Sequence, residues 1–148
     1  MIAVDTNILV YAHREDSPWH ESAYAQVAAL AEGRAAWAIP WPCLHEFLAI
    51  VTHPRIYDPP SSLEAATDQV DAWLQAPSLI LLGEAEGYWG ELRAALAASL
   101  AIGPRVHDAR VAALCRLHAI EELWTLDRDF GRFPGVKVKN PLLRKSSR

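Results

Sequence analysis

Four acidic residues lie where a strand is predicted to end or a helix to begin: Asp5, Glu46, Asp108 and Asp127. The carboxyl ends of parallel strands share one edge of an α/β sheet, and ligands bind in the crevice beside that edge. Carboxylates gathered there would repel one another unless they took up protons or bound a divalent cation. Their oxygen donors suit Mg²⁺ or Mn²⁺ and do not suit zinc. The chemistry that fits such a site is metal-assisted hydrolysis of a phosphodiester.

Each of these acids also has a purely structural explanation. Aspartate is common in the turns that follow strands, and a carboxylate near a helix N-terminus is favoured by the helix dipole. Position alone therefore leaves two interpretations open, a shared metal site and a set of separate turn and helix-start residues.

The predicted strands and helices explain how the acids would be positioned. The apolar run at 2–4 predicts a strand that ends in a functional loop at Asp5, and the run at 123–126 predicts a strand that ends at Asp127. Glu46 and Asp108 fall in the opening turns of two predicted helices. The other predicted strands cover 36–39, 78–82 and 136–138, and the predicted helices cover 17–31, 41–53, 61–75, 84–99 and 106–118.

Strands that alternate with helices are typical of βαβ crossovers. We therefore predict an α/β fold, an α/β/α sandwich with a mostly parallel central sheet of about five short strands. At 148 residues and 51% hydrophobic the chain is large enough to bury one core, and we expect a single domain at 1–148. The six tryptophans and a charged fraction of 22% exclude a disordered chain.

Neither membrane insertion nor secretion is indicated. No segment approaches the roughly 18 uninterrupted apolar residues of a membrane span, and Asp5 interrupts the N-terminus before a signal peptide could form. We therefore expect a cytoplasmic protein. Cys43 and Cys115 show no zinc-site or disulfide spacing, and we expect two buried free thiols.

Charge is distributed unevenly along the chain. Residues 1–104 contain 4 bases and 13 acids, and residues 105–148 contain 10 bases and 5 acids, so the net charges are −9 and +5. Such a basic segment could bind the phosphate backbone of a nucleic acid, or it could simply be a solvated surface. Most of its positive charge comes from Arg128, Arg132, Lys137, Lys139, Arg144, Lys145 and Arg148.

Three segments together resemble the PIN-domain ribonucleases, specifically the VapC-type toxins of bacterial toxin–antitoxin modules. They are V-D-T-N-I-L at 4–9, H-D-A at 107–109 and T-L-D-R-D-F at 125–130. The resemblance implies a PIN-like fold and a Mg²⁺-dependent endoribonuclease, with Mn²⁺ as an alternative ion. Its products would carry 5′-phosphate and 3′-hydroxyl ends. It also implies that the metal-binding and catalytic acids are Asp5, Glu46, Asp108 and Asp127.

Four residues beside these acids are further candidates. Asp129 could hold a second ion or a metal-bound water, or it could cap the next turn. Thr6, Asn7 and Thr125 could orient a carboxylate or a phosphate by hydrogen bonds, or they could cap local turns.

The two histidines next to candidate acids are expected to lie outside this site. His45 and His107 each precede a candidate acid, but adjacent helical residues face about 100° apart, so we expect both to be packing or surface residues. We expect most of the tryptophans near the helices in the core, although some could form an exposed apolar groove for another chain. These are Trp19, Trp41, Trp73 and Trp89. The resemblance implies a homodimer, and a VapB-type antitoxin whose C-terminal segment blocks the site.

Two other functions remain as alternatives. A haloacid-dehalogenase-like phosphatase also begins with a strand that runs into an aspartate, but it needs a second aspartate two residues later, where this chain has Asn7. A catalytically silent PIN-like module would bind RNA or protein and would use the acids only as structural caps. Such a module would hold its ligand equally well in EDTA and after Asp5→Asn.

Overall fold

A computed structural model describes residues 1–142. Three of the predicted basic residues, Arg144, Lys145 and Arg148, lie outside the described residues. The strands are β1 (Ile2–Val4), β2 (Trp37–Pro40), β3 (Leu79–Leu82), β4 (Glu122–Trp124) and β5 (Val138–Lys139). The helices are α1 (Thr6–His13), α2 (His20–Glu32), α3 (Trp41–Val51), α4 (Leu63–Leu74), α5 (Tyr88–Ser99) and α6 (Val106–Leu117). Short 3₁₀ turns occur at Gly103–Arg105 and Arg128–Arg132.

The five strands form one parallel sheet in the order β3-β2-β1-β4-β5, as the alternation of strands and helices predicts. The central strand β1 pairs with β2 and with β4, and Ile2 lies opposite both Trp37 and Glu122. Because β1 and β4 are parallel neighbours, the residues that follow them leave the sheet at the same edge. This register is what brings the segment after Val4 close to the segment after Trp124.

The core is built from the buried faces of the strands and of the helices beside them. Its largest fully buried side chains include Trp37, Phe47 and Leu123. Helix α3 buries Cys43, Leu44, Phe47 and Val51, which recur at helical spacing. Both cysteines are buried free thiols, as expected. The core therefore holds α3 and α6 rigidly against the sheet, with their first turns at its carboxyl edge.

The segment after β1 is a helix, so the prediction of a functional loop at this place is wrong. Helix α1 begins at Thr6, directly after Asp5, which has extended backbone angles of φ −82° and ψ 164°. Threonine and asparagine are weak helix formers, but burial of Ile8 and Leu9 outweighs that local preference. A helix gives Asp5 and Asn7 a more rigid placement than a loop would.

Several predicted boundaries shift by a few residues. Helix α2 begins at His20, because Ser17 caps a turn by accepting a hydrogen bond from the Trp19 backbone N–H. Helix α5 begins at Tyr88, after Gly87 at a φ of 88°. Strand β4 ends at Trp124, two residues earlier than predicted. Its apolar run therefore continues beyond the sheet pairing.

Candidate active site

A cleft at the carboxyl edge of the sheet contains all four predicted acids. We call this part of the cleft the acidic half, because the acids line it; a wider space opens beside it. The volume of the acidic half is about 130 Å³. Asp5 is buried, Asp108 and Asp127 are half-buried, and Glu46 is exposed. The lining residues are Asp5, Thr6, Asn7, Glu46, Ile50, His107, Asp108, Val111, Asp127 and Phe130.

The buried Thr125 hydroxyl joins the two strand ends. It donates a hydrogen bond to Asp5 Oδ2 at 2.8 Å. It also accepts one from Asn7 Nδ2 at 3.2 Å and one from the Asp127 backbone N–H at 3.0 Å. One donor and two acceptor positions are all that a hydroxyl offers, so its hydrogen-bonding capacity is fully used. Thr125 therefore fixes both aspartates relative to each other.

The other two predicted supporting residues also make hydrogen bonds at the site. Thr6 Oγ1 donates to Glu46 Oε2 at 3.1 Å, which links the start of α1 to α3. Asn7 Oδ1 accepts from the Leu126 backbone N–H at 3.4 Å, in addition to the bond that its amide donates to Thr125. These bonds cross between segments about 40 and 120 residues apart, so they do more than cap local turns.

Burial raises the pKa of Asp5 above its usual value. Hydrogen bonds from the Thr125 hydroxyl, the Thr6 backbone N–H and the Cys43 thiol oppose this increase, and the negative charge of Glu46 adds to it. The Cys43 thiol donates to Asp5 Oδ1 at 3.4 Å, and burial raises its own pKa well above the usual range. Asp5 thus pays a desolvation cost in its ionised form that a cation at the site would offset.

Burial also raises the pKa of Asp108 to about 6, and four neighbouring carboxylates contribute to the increase. In order of decreasing effect these neighbours are Asp127, Asp5, Glu46 and Asp129. The carboxylates are therefore close enough to repel one another, and Asp108 is the one on which the repulsion accumulates. A cluster of this kind favours either a proton or a divalent cation.

The donor set of the acidic half suits a hard cation, because it consists of carboxylate oxygens with hydroxyl and amide groups behind them. Within residues 1–142, however, no three His, Cys, Asp or Glu side chains are grouped closely enough to hold a metal ion. The acids line the cleft without forming a closed set of ligands, as expected for like charges that repel.

Asp129 lies at the margin of this cluster and is exposed. Its backbone N–H donates to Asp127 Oδ1 at 2.9 Å, so Asp127 caps the turn that contains it. Its carboxylate is 4.0 Å from the guanidinium of Arg132. Lys137 pairs with Glu122 at 3.8 Å. Two of the predicted phosphate-binding bases therefore have carboxylate neighbours.

His45 and His107 are exposed surface residues, as expected, but the expectation that both lie outside the site is wrong for His107. His107 lines the acidic half, and both histidines line the wider space beside it, of about 480 Å³, which we call the histidine half. Glu46, Asp108 and Val111 also line both spaces, so the two halves form one cleft. The other lining residues are Pro42, Ala49, Pro104 and Arg110.

A repeated pattern explains why the angular argument failed. Residues 42–49 read P-C-L-H-E-F-L-A and residues 104–111 read P-R-V-H-D-A-R-V, so both segments share the pattern Pro-x-x-His-acid-x-x-small apolar. Positions i, i+3, i+4 and i+7 lie on one face of a helix. A histidine and the acid after it can therefore line the same wide cleft, and this repeat was the signal that could have found both histidines.

The tryptophans do not share one environment. Trp73 is buried and packs against Phe47, with ring centroids 4.8 Å apart. Trp19, Trp41 and Trp89 are partly exposed. The prediction that most of them belong to the core is therefore correct for Trp73 only.

Comparison with known proteins identifies the class. The family described as "PIN domain" matches residues 2–136. Ribonuclease VapC48 of Mycobacterium tuberculosis is 32% identical over 137 residues, 93% of this chain and 94% of that protein. Ribonuclease VapC43 of the same organism is 34% identical over 145 residues, 96% of each chain. The crystal structure of VapBC2 from Rickettsia felis, bound to a DNA fragment from their promoter, matches with a TM-score of 0.65 and 25% identity, covering 94% of this chain and 98% of that chain.

The chain therefore belongs to the PIN-domain family and, within it, to the VapC ribonucleases of toxin–antitoxin modules. The resemblance inferred from three short segments is confirmed, and so is the PIN-like α/β fold. Dependence on divalent metal ions is a general property of this family. No helix within residues 1–142 combines the length and apolar character needed to cross a membrane.

Proposed function

We propose that this chain is a Mg²⁺-dependent endoribonuclease, the toxin of a type II toxin–antitoxin module, and that Asp5, Glu46, Asp108 and Asp127 form its catalytic centre. One observation carries the assignment of the site. Four acids from separate segments face one cleft, and their mutual repulsion contributes to a pKa of about 6 for Asp108. Carboxylates with raised pKa values that are gathered in a cleft are typical of functional sites.

In this proposal Asp5, Glu46, Asp108 and Asp127 would hold Mg²⁺, or Mn²⁺ in its place, with Asp129 as a candidate for a second ion. The bound ion would supply an activated water and neutralise charge on the scissile phosphate. Thr125 keeps Asp5 and Asp127 in place through the bonds that it makes to both. Thr6 restrains Glu46 in the same way.

Asn7 supports the nuclease over the phosphatase alternative. A haloacid-dehalogenase-like phosphatase would use the side chain at this position as a general acid. Here the Asn7 amide donates to Thr125, and its carbonyl oxygen accepts from the Leu126 backbone N–H. An amide has no titratable proton to give, and both of its ends are occupied by structural bonds.

The proposed substrate is RNA with unpaired bases, and the proposed protein partner is a VapB-type antitoxin. The VapBC2 structure contains such a pair in Rickettsia felis, and it matches nearly the whole of this chain. Homodimerisation, a cytoplasmic location and a single domain at 1–148 are parts of the same proposal. Arg128, Arg132, Lys137 and Lys139 are candidates for contacts with the RNA backbone.

The proposal is tested by incubating purified protein with total cellular RNA in Mg²⁺, in Mn²⁺ and in EDTA, and sequencing the new 5′ ends. We expect discrete cuts that require both the metal and Asp5, and that are absent with Asp5→Asn. Glu121→Gln is a matched control, because Glu121 is exposed and pairs with the N-terminus away from the cleft. RNA left intact by folded, antitoxin-free protein in every metal condition would favour the silent binding module.

A further inference from the structure

The histidine half of the cleft has a composition different from that of the acidic half. It is the larger space, about 480 Å³, within the range of roughly 300–1,000 Å³ typical of small-molecule pockets. Pro42 and His45 come from α3, and Pro104 and His107 come from the segment that opens α6. Two ring-bearing surfaces therefore line one space directly beside the carboxylates.

His45 and His107 differ from the other four histidines in their hydrogen bonds. His20 bonds the Tyr11 carbonyl, His118 bonds the Gly83 carbonyl, and His53 accepts from the Arg55 backbone N–H. His13 bonds two side chains. Within residues 1–142 neither the His45 ring nor the His107 ring makes a hydrogen bond, and both side chains are exposed. Their rings are thus available to a ligand.

The ring of His45 has an aromatic neighbour on the same helix. The indole of Trp41 lies at a centroid distance of 6.0 Å with an interplanar angle of 34°. Trp41 in turn lies over Gly83, where an added Cβ would be 3.6 Å from the indole Cδ1. A second aromatic side chain therefore lies beside the His45 ring and adds to the aromatic surface on which a flat group would stack.

The charges favour a flat, neutral group over a phosphate. Arg110 is the only arginine or lysine among the residues that line this half, and its guanidinium is 3.6 Å from the Glu84 carboxylate. Glu46 and Asp108 at the border would repel a further anion. Unpaired bases of RNA, in contrast, stack on aromatic side chains, histidine included.

We propose that His45 and His107 form a base-stacking subsite, which holds the base of the nucleotide next to the scissile phosphodiester. The inference rests on the proposed ribonuclease function and adds which part of the RNA this surface binds. The subsite would position an unpaired base, so that the adjoining phosphate lies at the carboxylates. His45 and His107 are positioning residues in this scheme.

The test measures RNA binding to the full chain carrying Asp5→Asn, which prevents cleavage of the probe. Fluorescein-labelled 12-nucleotide RNAs, one homopolymer for each base and one abasic chain of the same length, are titrated in Mg²⁺ and followed by fluorescence anisotropy. The added variants are His45→Ala, His107→Ala, His45→Phe and His107→Phe. His53→Ala is the matched control, because His53 is an exposed histidine away from the cleft.

We expect each alanine variant to bind at least one homopolymer about fivefold to a hundredfold more weakly, the range typical of a lost base stack. Binding of the abasic chain should not change. The phenylalanine variants should retain most of the affinity, because stacking requires a ring and no charge. His53→Ala should bind all five probes normally.

Three results would overturn the inference. The first is alanine variants that bind every homopolymer as tightly as the Asp5→Asn parent. The second is an equal loss for the abasic chain that phenylalanine does not restore, since this would make the histidines phosphate contacts. The third is a parent chain that binds none of the probes. Cleavage of total RNA by the wild-type chain is measured in parallel, so failure of the nuclease proposal is seen separately from failure of the subsite.

Discussion

The acidic half and the histidine half lie side by side in one cleft, yet they differ in burial and in hydrogen bonding. In the acidic half Asp5 is buried, and Thr125 bonds both strand ends. In the histidine half the rings are exposed, and within residues 1–142 they make no hydrogen bond. A charged group that must act on a bond has to be held rigidly, whereas a surface that accepts a base needs an open face.

The repeated Pro-x-x-His-acid pattern shows how one helix face contributes to both halves. In α3 and α6 the acid is the residue next to the histidine, and each helix begins at the sheet edge. Glu46 and Asp108 line both halves, His107 lines both as well, and His45 lines only the wider space. We therefore expect variants in the acidic half to reduce kcat and variants in the histidine half to raise KM.

The largest expected effect is that of Asp5→Asn. Loss of a charged ligand should reduce RNA cleavage by about a thousandfold or more, which corresponds to roughly 4 kcal/mol of transition-state stabilisation. The same substitution should raise the melting temperature of the metal-free protein at pH 7, because it removes a buried charge whose pKa is raised. Cleavage rates check the first expectation, and thermal unfolding in EDTA checks the second. A variant that retains activity would place the chemistry elsewhere.

A smaller loss is expected when the Thr125 hydroxyl is removed. Thr125→Val removes the hydroxyl that donates to Asp5 Oδ2 and leaves the amide of Asn7 and the backbone N–H of Asp127 without this acceptor. We expect cleavage to fall about 10- to 100-fold and the free energy of unfolding to fall by about 1–3 kcal/mol. Thr125→Ser keeps the hydroxyl and should remain close to wild type. Equal behaviour of the two variants would contradict a role for the hydroxyl.

The histidine half should respond in KM. The double variant His45→Ala, His107→Ala should raise KM about tenfold or more while kcat stays within about threefold, because lost base stacking weakens binding before the chemical step. Steady-state kinetics on one RNA, chosen from the sequenced cleavage sites, measures both constants. A fall in kcat at constant KM would remove the distinction between the two halves.

The pH dependence should follow Asp108, whose pKa is about 6 without metal. At subsaturating Mg²⁺ the cleavage rate should fall about tenfold for each pH unit below 6, and more Mg²⁺ should restore it, because metal and protons compete for the carboxylates. Asp108→Asn cannot show this titration. A profile that is flat between pH 5 and 7 at low Mg²⁺ would argue against Asp108 as a ligand.

The stability of the metal-free protein should change in the opposite direction over the same range. The folded pKa of Asp108 lies above the value of 3.8 in the unfolded chain, so the folded state binds the proton more tightly. The stability that Asp108 contributes is therefore complete below pH 3.8 and is lost as the pH rises through about 6. Melting temperatures in EDTA between pH 4 and 7 should show the decrease, and Asp108→Asn should reduce it.

The smallest expected effect concerns the Cys43 thiol, which donates to Asp5 Oδ1 at 3.4 Å. A serine hydroxyl is a stronger donor than a thiol, so Cys43→Ser should lower the pKa of Asp5. We expect the rate at pH 7 to change by less than about threefold. Cys115→Ser is the matched control, since Cys115 is equally buried and has no recorded hydrogen bond to Asp5.

Sequence patterns predicted the parallel sheet and the convergence of the acids for clear physical reasons. Short apolar runs mark the strands, and parallel pairing of β1 with β4 brings Asp5 and Asp127 to one edge. Helix α1 was missed because Thr6 and Asn7 are read locally as turn residues. Only the packed core shows that burial of the following apolar residues overrides this preference.

The histidines were missed for a different reason. The angular rule compares two neighbouring residues on one helix, whereas the width of the cleft depends on the packing of α3, α6 and the sheet. That packing is a tertiary property, and the spacing of residues along a single helix does not determine it. Comparing the two segments with each other shows the repeated pattern at 42–49 and 104–111, and this comparison would have indicated a shared face.

The central claim is that the acidic half binds a divalent ion and the histidine half does not take part in that binding. Isothermal titration of Mn²⁺ into antitoxin-free protein at pH 7.5 tests it without reference to any RNA. We predict that the wild-type chain and the double variant His45→Ala, His107→Ala bind Mn²⁺ with the same affinity, and that Asp5→Asn binds at least tenfold more weakly. Equal binding by Asp5→Asn, or no binding by the wild-type chain, would contradict the account.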